Sequence, residues 1–258
     1  MANPALNEKT FAADRLRTLD PQAVVNGADG PSWQNRMTLD GVIIRAAMLF
    51  PLLLVSAWFG WQAVDRTDTG VQLPGWLLPA VFVGLGIAVL TAFKPKLSPY
   101  SAPVYAVVEG LVVGAISAMY NARYEGIVLQ AVMLTGAVFA IMLGLYTTRL
   151  VRVTDKLRKT VMVATLAVLA VYLVTFVMGL FGADVPMIHE NGAVGILFSL
   201  VVVGIASFNL LLDFDLIEKG VASGAPKWME WYAAFALLVT LVWLYLELLR
   251  LLSKLRSR

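Results

Sequence analysis

The ionisable residues that stand inside otherwise apolar stretches of this 258-residue chain are few: Arg45, Glu109, Asp213, Asp215 and Glu247. If those stretches lie in hydrocarbon, a charge near the middle costs roughly 2.5–3.5 kcal/mol and needs a partner or a water-filled cavity. Near the end of a span the cost falls away, because a long side chain reaches the headgroups. Arg45 and Glu247 fit anchoring and functional roles equally. Glu109 lies one to two turns inside its stretch and is too short to reach out from a straight helix. Asn209 precedes Asp213 by four residues, so both share a helix face, whereas Asp215 points elsewhere. The chemistry on offer is protonation. Taking a carboxylate out of water, or setting a second one beside it, favours the neutral form, and a guanidinium favours the ionised form. A compensated cluster of Arg45, Glu109 and Asp213 would be able to titrate near neutral pH, as a proton sensor must.

Other chemistries lack their residues. With no Cys and a single His189, the chain has neither a disulfide framework nor a thiolate or histidine metal site. No GxGD sequence supports an intramembrane aspartyl protease, and His189 falls in a loop rather than beside a serine nucleophile. A retinal protein needs a lysine inside its last span, but Lys219 and Lys227 precede that span. No enzyme activity and no cofactor are expected. Without a cage of six to eight oxygens, calcium would associate weakly at most.

The elements that must position these residues are membrane helices. At 59% hydrophobic and 14% charged, the chain lies far from the soluble average of about a quarter charged. A helix needs about 20 apolar residues to cross about 30 Å of hydrocarbon. Seven stretches meet this, near residues 42–64, 75–93, 103–120, 126–147, 161–181, 193–217 and 231–252. The fold class expected is therefore an all-α integral membrane protein, a seven-helix bundle over 42–258 that follows a polar, flexible arm over 1–41. Lys and Arg in the connections number 13 on the face that holds the N-terminus and 6 on the other, which predicts a cytoplasmic N-terminus. The third and sixth spans then bring Glu109 and Asp213 to the depth of Arg45, in the cytoplasmic half. Basic residues that flank apolar segments read as topology determinants, so no nucleic-acid partner is expected. Trp76, Trp228, Trp231 and Tyr232 stand at span ends as interfacial anchors. Gly110 with Gly114, and Gly136 with Ala140 and Gly144, are spaced for close helix packing.

Three motifs carry a resemblance. SPYSAPVYAVVEGLVVGAIS (98–117), FNLLLDFDLIEKG (208–220) and LYLELLRLL (244–252), in that order, resemble the YccA branch of the Bax inhibitor family from about residue 42 to the end. The resemblance implies six helices around a central C-terminal helix. It also implies a pH-dependent calcium leak, gated in some members by a pair of aspartates in the sixth and seventh helices. Asp213 matches the first. The second does not carry over: Thr240 stands near its expected place. Two candidates could substitute, Thr240 as a hydrogen-bond donor and Glu109 as the missing carboxylate.

Two functions follow as expectations. One is a channel-like protein of a bacterial plasma membrane that passes or senses Ca²⁺ or H⁺ through a site built from Asp213, Glu109, Asn209, Thr240, Arg45 and Asp215. The other, also implied by the resemblance, is a non-transporting partner of a membrane AAA protease of FtsH type in envelope stress.

Overall fold

A computed structural model describes residues 36–67, 70–181 and 192–257. The expected N-terminal arm thus falls mostly outside the described residues, as does His189. Among the described residues there are seven helices: α1 (Leu39–Gln62), α2 (Leu77–Phe93), α3 (Ser98–Arg123), α4 (Ile127–Thr147), α5 (Asp155–Leu180), α6 (Ala193–Ala222) and α7 (Met229–Arg256). A short antiparallel hairpin, β1 (Asp65–Thr67) and β2 (Gly70–Gln72), joins α1 to α2.

α3, α5, α6 and α7 outrun their apolar stretches, whereas α2 and α4 do not. α5 starts at Asp155 rather than 161, with Thr154 accepting a hydrogen bond from the Leu157 amide at 3.2 Å and Asp155 in the positive first turn. α6 runs on through Glu218 and Lys219 to Ala222. Hydropathy marks the part of a helix in hydrocarbon, whereas caps and headgroup-level charges mark where it ends.

Six of the seven helices are long and apolar enough to cross a membrane. α2, at 17 residues, spans about 25 Å. Packing shows that it nevertheless accompanies a full return of the chain. Gly110 of α3 lies against Leu53 and Ser56 of α1, and Gly114 lies against Ala57, so the two helices advance in the same direction. The chain must go back between them, and α2 with its flanking turns is what lies there. The other ends agree. Ser98, at the start of α3, donates to the Trp228 carbonyl at 3.2 Å, and Lys254, late in α7, reaches Ser199, early in α6, at 3.0 Å. The starts of α1, α3, α5 and α7 therefore gather at one end of the bundle, which also carries most of the Lys and Arg. We call it the basic face.

α7 is the central helix. It packs directly on α1, α3, α4 and α6 and meets α5 through Tyr172, while α2 packs on α3. Leu238, Leu244 and Leu249 of α7 are fully buried, as are Leu210 and Leu211 of α6. Large apolar side chains on the outer faces of α1, α2, α4 and α5 are exposed, as suits a bundle whose surrounding solvent is lipid. An apolar groove of about 1040 Å³ opens between α1 and α4, floored by residues of α6 and α7 that include Phe214, Leu237 and Val242.

Candidate functional site

α6 lays Ala206, Leu210, Leu211 and Phe214 into the core. The same stretch carries Asp213 inward, toward α7. Thr240 of α7, 7% exposed, hydrogen-bonds its carboxylate. Asp213 Oδ2 is buried and has no hydrogen-bond partner among the described residues. A buried acceptor left unpaired is costly and rare in a native packing. Asp213 is thus a polar group whose surroundings satisfy it only in part.

The remaining expected residues go to different places. Asn209 turns its amide to α5, donating to Thr165 Oγ1 at 2.8 Å and to the Ile205 carbonyl at 2.9 Å. It shares a helix with Asp213 but not a partner. Glu109 lies in the seam between α2 and α3, hydrogen-bonded by the Tyr105 phenol, with its carboxylate so near Gly84 that a Cβ there would stand 3.2 Å from Oε2. Arg45 meets Glu230 at 3.6 Å and stacks 5.3 Å over the Trp231 ring. Asp215 is paired with Arg158 and, at 2.9 Å, with Lys219 at the basic face.

Arg45, Glu109 and Asp213 are therefore not one cluster: among the described residues no hydrogen bond or ion pair joins them. Arg45 meets α7 at Glu230 and Asp213 meets it at Thr240, ten residues further along the helix, while Glu109 stands on α3 against α2. Of the two candidate substitutes for a second aspartate, Thr240 is the residue that reaches Asp213.

Two further buried carboxylates have partners that sequence reasoning did not supply. Glu230, 1% exposed, accepts from the Thr38 amide and hydroxyl, both at 3.1 Å. A Cβ at Gly41 would fall 2.0 Å from its Oε1, so only glycine lets α1 lie this close. The signal was a carboxylate set among Trp228, Trp231 and Tyr232, where an anchor alone needs no acid. Glu247, also 1% exposed, is held by Tyr172, Trp243 and Arg250. It was visible as a charge in an apolar span, but its α5 partner was not.

No match to the chain was found among curated proteins. A family model described as Bax inhibitor 1 like matches residues 3–257. That match reaches further towards the N-terminus than the resemblance read from the three motifs, which runs from about residue 42 to the end. Its extent over nearly the whole chain, on an all-helical membrane bundle with a central last helix, establishes that the chain belongs to the Bax inhibitor 1-like family.

Proposed function

We propose that this protein is a pH-sensitive cation leak, for Ca²⁺ or H⁺, in a bacterial plasma membrane, and that Asp213 with Thr240 is its switch. The observation that carries the reading is the Asp213 carboxyl between α6 and α7, engaged by Thr240 and with its buried Oδ2 lacking a hydrogen-bond partner among the described residues. A neutral carboxyl both donates and accepts, so it suits a closed, dry seam. An ionised one only accepts, and its free oxygen draws in water or a cation. Protonation thereby selects between a packed and a hydrated arrangement of the two helices. A single carboxylate is a place of passage rather than of tight calcium storage.

The test is ion flux into proteoliposomes across mildly acidic to mildly basic pH. Asp213→Asn keeps the shape but cannot ionise, so it should abolish most of the pH dependence while the protein stays folded. A variant that follows the wild-type profile would remove the switch from Asp213. Wild-type protein that is silent to both ions at every pH, yet co-purifies with a membrane AAA protease, would replace the leak by the regulatory reading.

A further inference from the structure

The half of the bundle away from the basic face holds a buried polar cluster that the Asp213 switch does not use. Glu247 Oε1 accepts from the Tyr172 hydroxyl at 2.7 Å, from Trp243 Nε1 at 3.3 Å and from Arg250 Nη1 at 3.0 Å. The Arg250 guanidinium also lies 4.8 Å over the Tyr172 ring. One turn beyond, Lys254, 5% exposed, donates to the Gly195 carbonyl and the Ser199 hydroxyl, each at 3.0 Å.

These groups line up with the others. Thr240, Glu247 and Lys254 recur at intervals of seven on α7, as Thr165 and Tyr172 do on α5, so each set keeps to one helix face. Asp215, Asp213, Asn209 and Ser199 follow in order along α6, which runs the opposite way. From the basic face the series is Asp215 with Arg158, Asp213 with Thr240, Asn209 with Thr165, Glu247 with Tyr172 and Arg250, then Lys254 with Ser199. From Asp213 onward the series lies between α5, α6 and α7, whereas Asp215 leaves α6 on another side, at the mouth beside Arg149 and Arg152. Helices that only need to adhere require a few such bonds. A file of polar groups along one seam, with the buried Asp213 Oδ2 left to bind water, offers water successive partners.

We infer that the seam of α5, α6 and α7 is the route of the cation, and that the Glu247–Arg250 pair is a charge gate near its end away from the basic face. The inference rests on the leak reading for its traffic, whereas the existence of a wet seam is tested separately. A fixed guanidinium in a narrow route repels cations, and Glu247 neutralises it. Removing one partner or the other should therefore act with opposite signs.

Two measurements decide it. The chain has no Cys, so single cysteines report without background. Ser199→Cys and Thr165→Cys, both of which leave the ion pair intact, should react in proteoliposomes with a small cationic thiol reagent. Leu169→Cys and Val201→Cys, at lipid-facing positions 58% and 52% exposed, should not. Unreactive seam cysteines would overturn the route, whether or not the wild type leaks. In flux, Arg250→Gln should raise cation entry about tenfold and Glu247→Gln lower it about tenfold, equivalent to about 1.4 kcal/mol on the barrier in each direction. Variants that shift flux in the same direction, or leave it unchanged, would overturn the gate. Reactive seam cysteines without flux in any protein would keep the wet seam and sink the leak reading together with its gate.

Discussion

Glu230 is the clearest case of a side chain whose importance rests on what surrounds it. It takes two hydrogen bonds from Thr38 and an ion pair from Arg45, and so ties the start of α1 to the start of α7. Arg45 is 22% exposed and its partner 1%, so the burial of the pair is mainly on the Glu230 side. Glu230→Ala should therefore cost about 1–3 kcal/mol, the penalty for leaving buried donors unpaired, and Glu230→Gln should cost less because the amide still accepts from Thr38. Thermal unfolding in detergent reads both, and equal stability of the three proteins would show that the tie contributes nothing. At this scale the sequence was half legible. A charge in an apolar stretch announces that it needs a partner, and Asp213, Glu109 and Arg45 each have one. Hydropathy locates a residue only coarsely along the membrane normal and says nothing of its angle around the bundle. That is why Arg45 met Glu230 rather than Asp213, and why Tyr172 could not be foreseen beside Glu247.

At the scale of helices, the same small-residue spacing had two outcomes. On α3, a Cβ at Gly114 would stand 1.9 Å from the Ala57 carbonyl oxygen, and one at Gly110 would stand 2.4 Å from that of Leu53. Backbone cannot step aside as a side chain can, so α1 and α3 depend on these glycines for their approach. On α4, Gly136 and Gly144 have nothing within 4 Å of where a Cβ would go, and Gly136 faces the open groove. The expectation of close packing along Gly136, Ala140 and Gly144 is thus corrected at both glycines. Spacing tells that a helix has a smooth stripe, and only the arrangement of neighbours tells whether another helix uses it. Gly114→Leu should lower stability by at least the 1–3 kcal/mol typical of overpacking, whereas Gly136→Leu should leave it within about 0.5 kcal/mol, as at other open surface positions. Paired melting curves in one detergent test the contrast, and a stable Gly114→Leu protein would mean that α1 and α3 can part without loss.

For the whole molecule, the helix directions reduce orientation to a single binary choice. Because α1 and α3 advance together and α6 runs against α7, the connection between α4 and α5 lies at the same end as the start of α1, and the end of α7 lies at the other. Those relations follow from contacts and hold whichever way the bundle is inserted. The choice between the two insertions rests on charge. Among the described residues the connections and helix ends at the basic face hold ten Lys and Arg against five at the opposite one, and such residues are retained on the cytoplasmic side. Arg250, Lys254 and Arg256 pull weakly the other way, but Lys254 and Arg256 are engaged with the Gly195 and Glu125 carbonyls, and Arg250 with Glu247. As residues of a folded helix end they should weigh less than the free basic loop at 149–159. A reporter inserted in that loop should therefore read cytoplasm, and one fused after the last helix should read the outside. If both read the same side, one of the seven passages is not made, with α2 the first suspect at 17 residues. If the two readings are exchanged, the bundle is inverted, Asp213 lies in the outward half, and its protonation would answer to the pH outside the cell instead of within it.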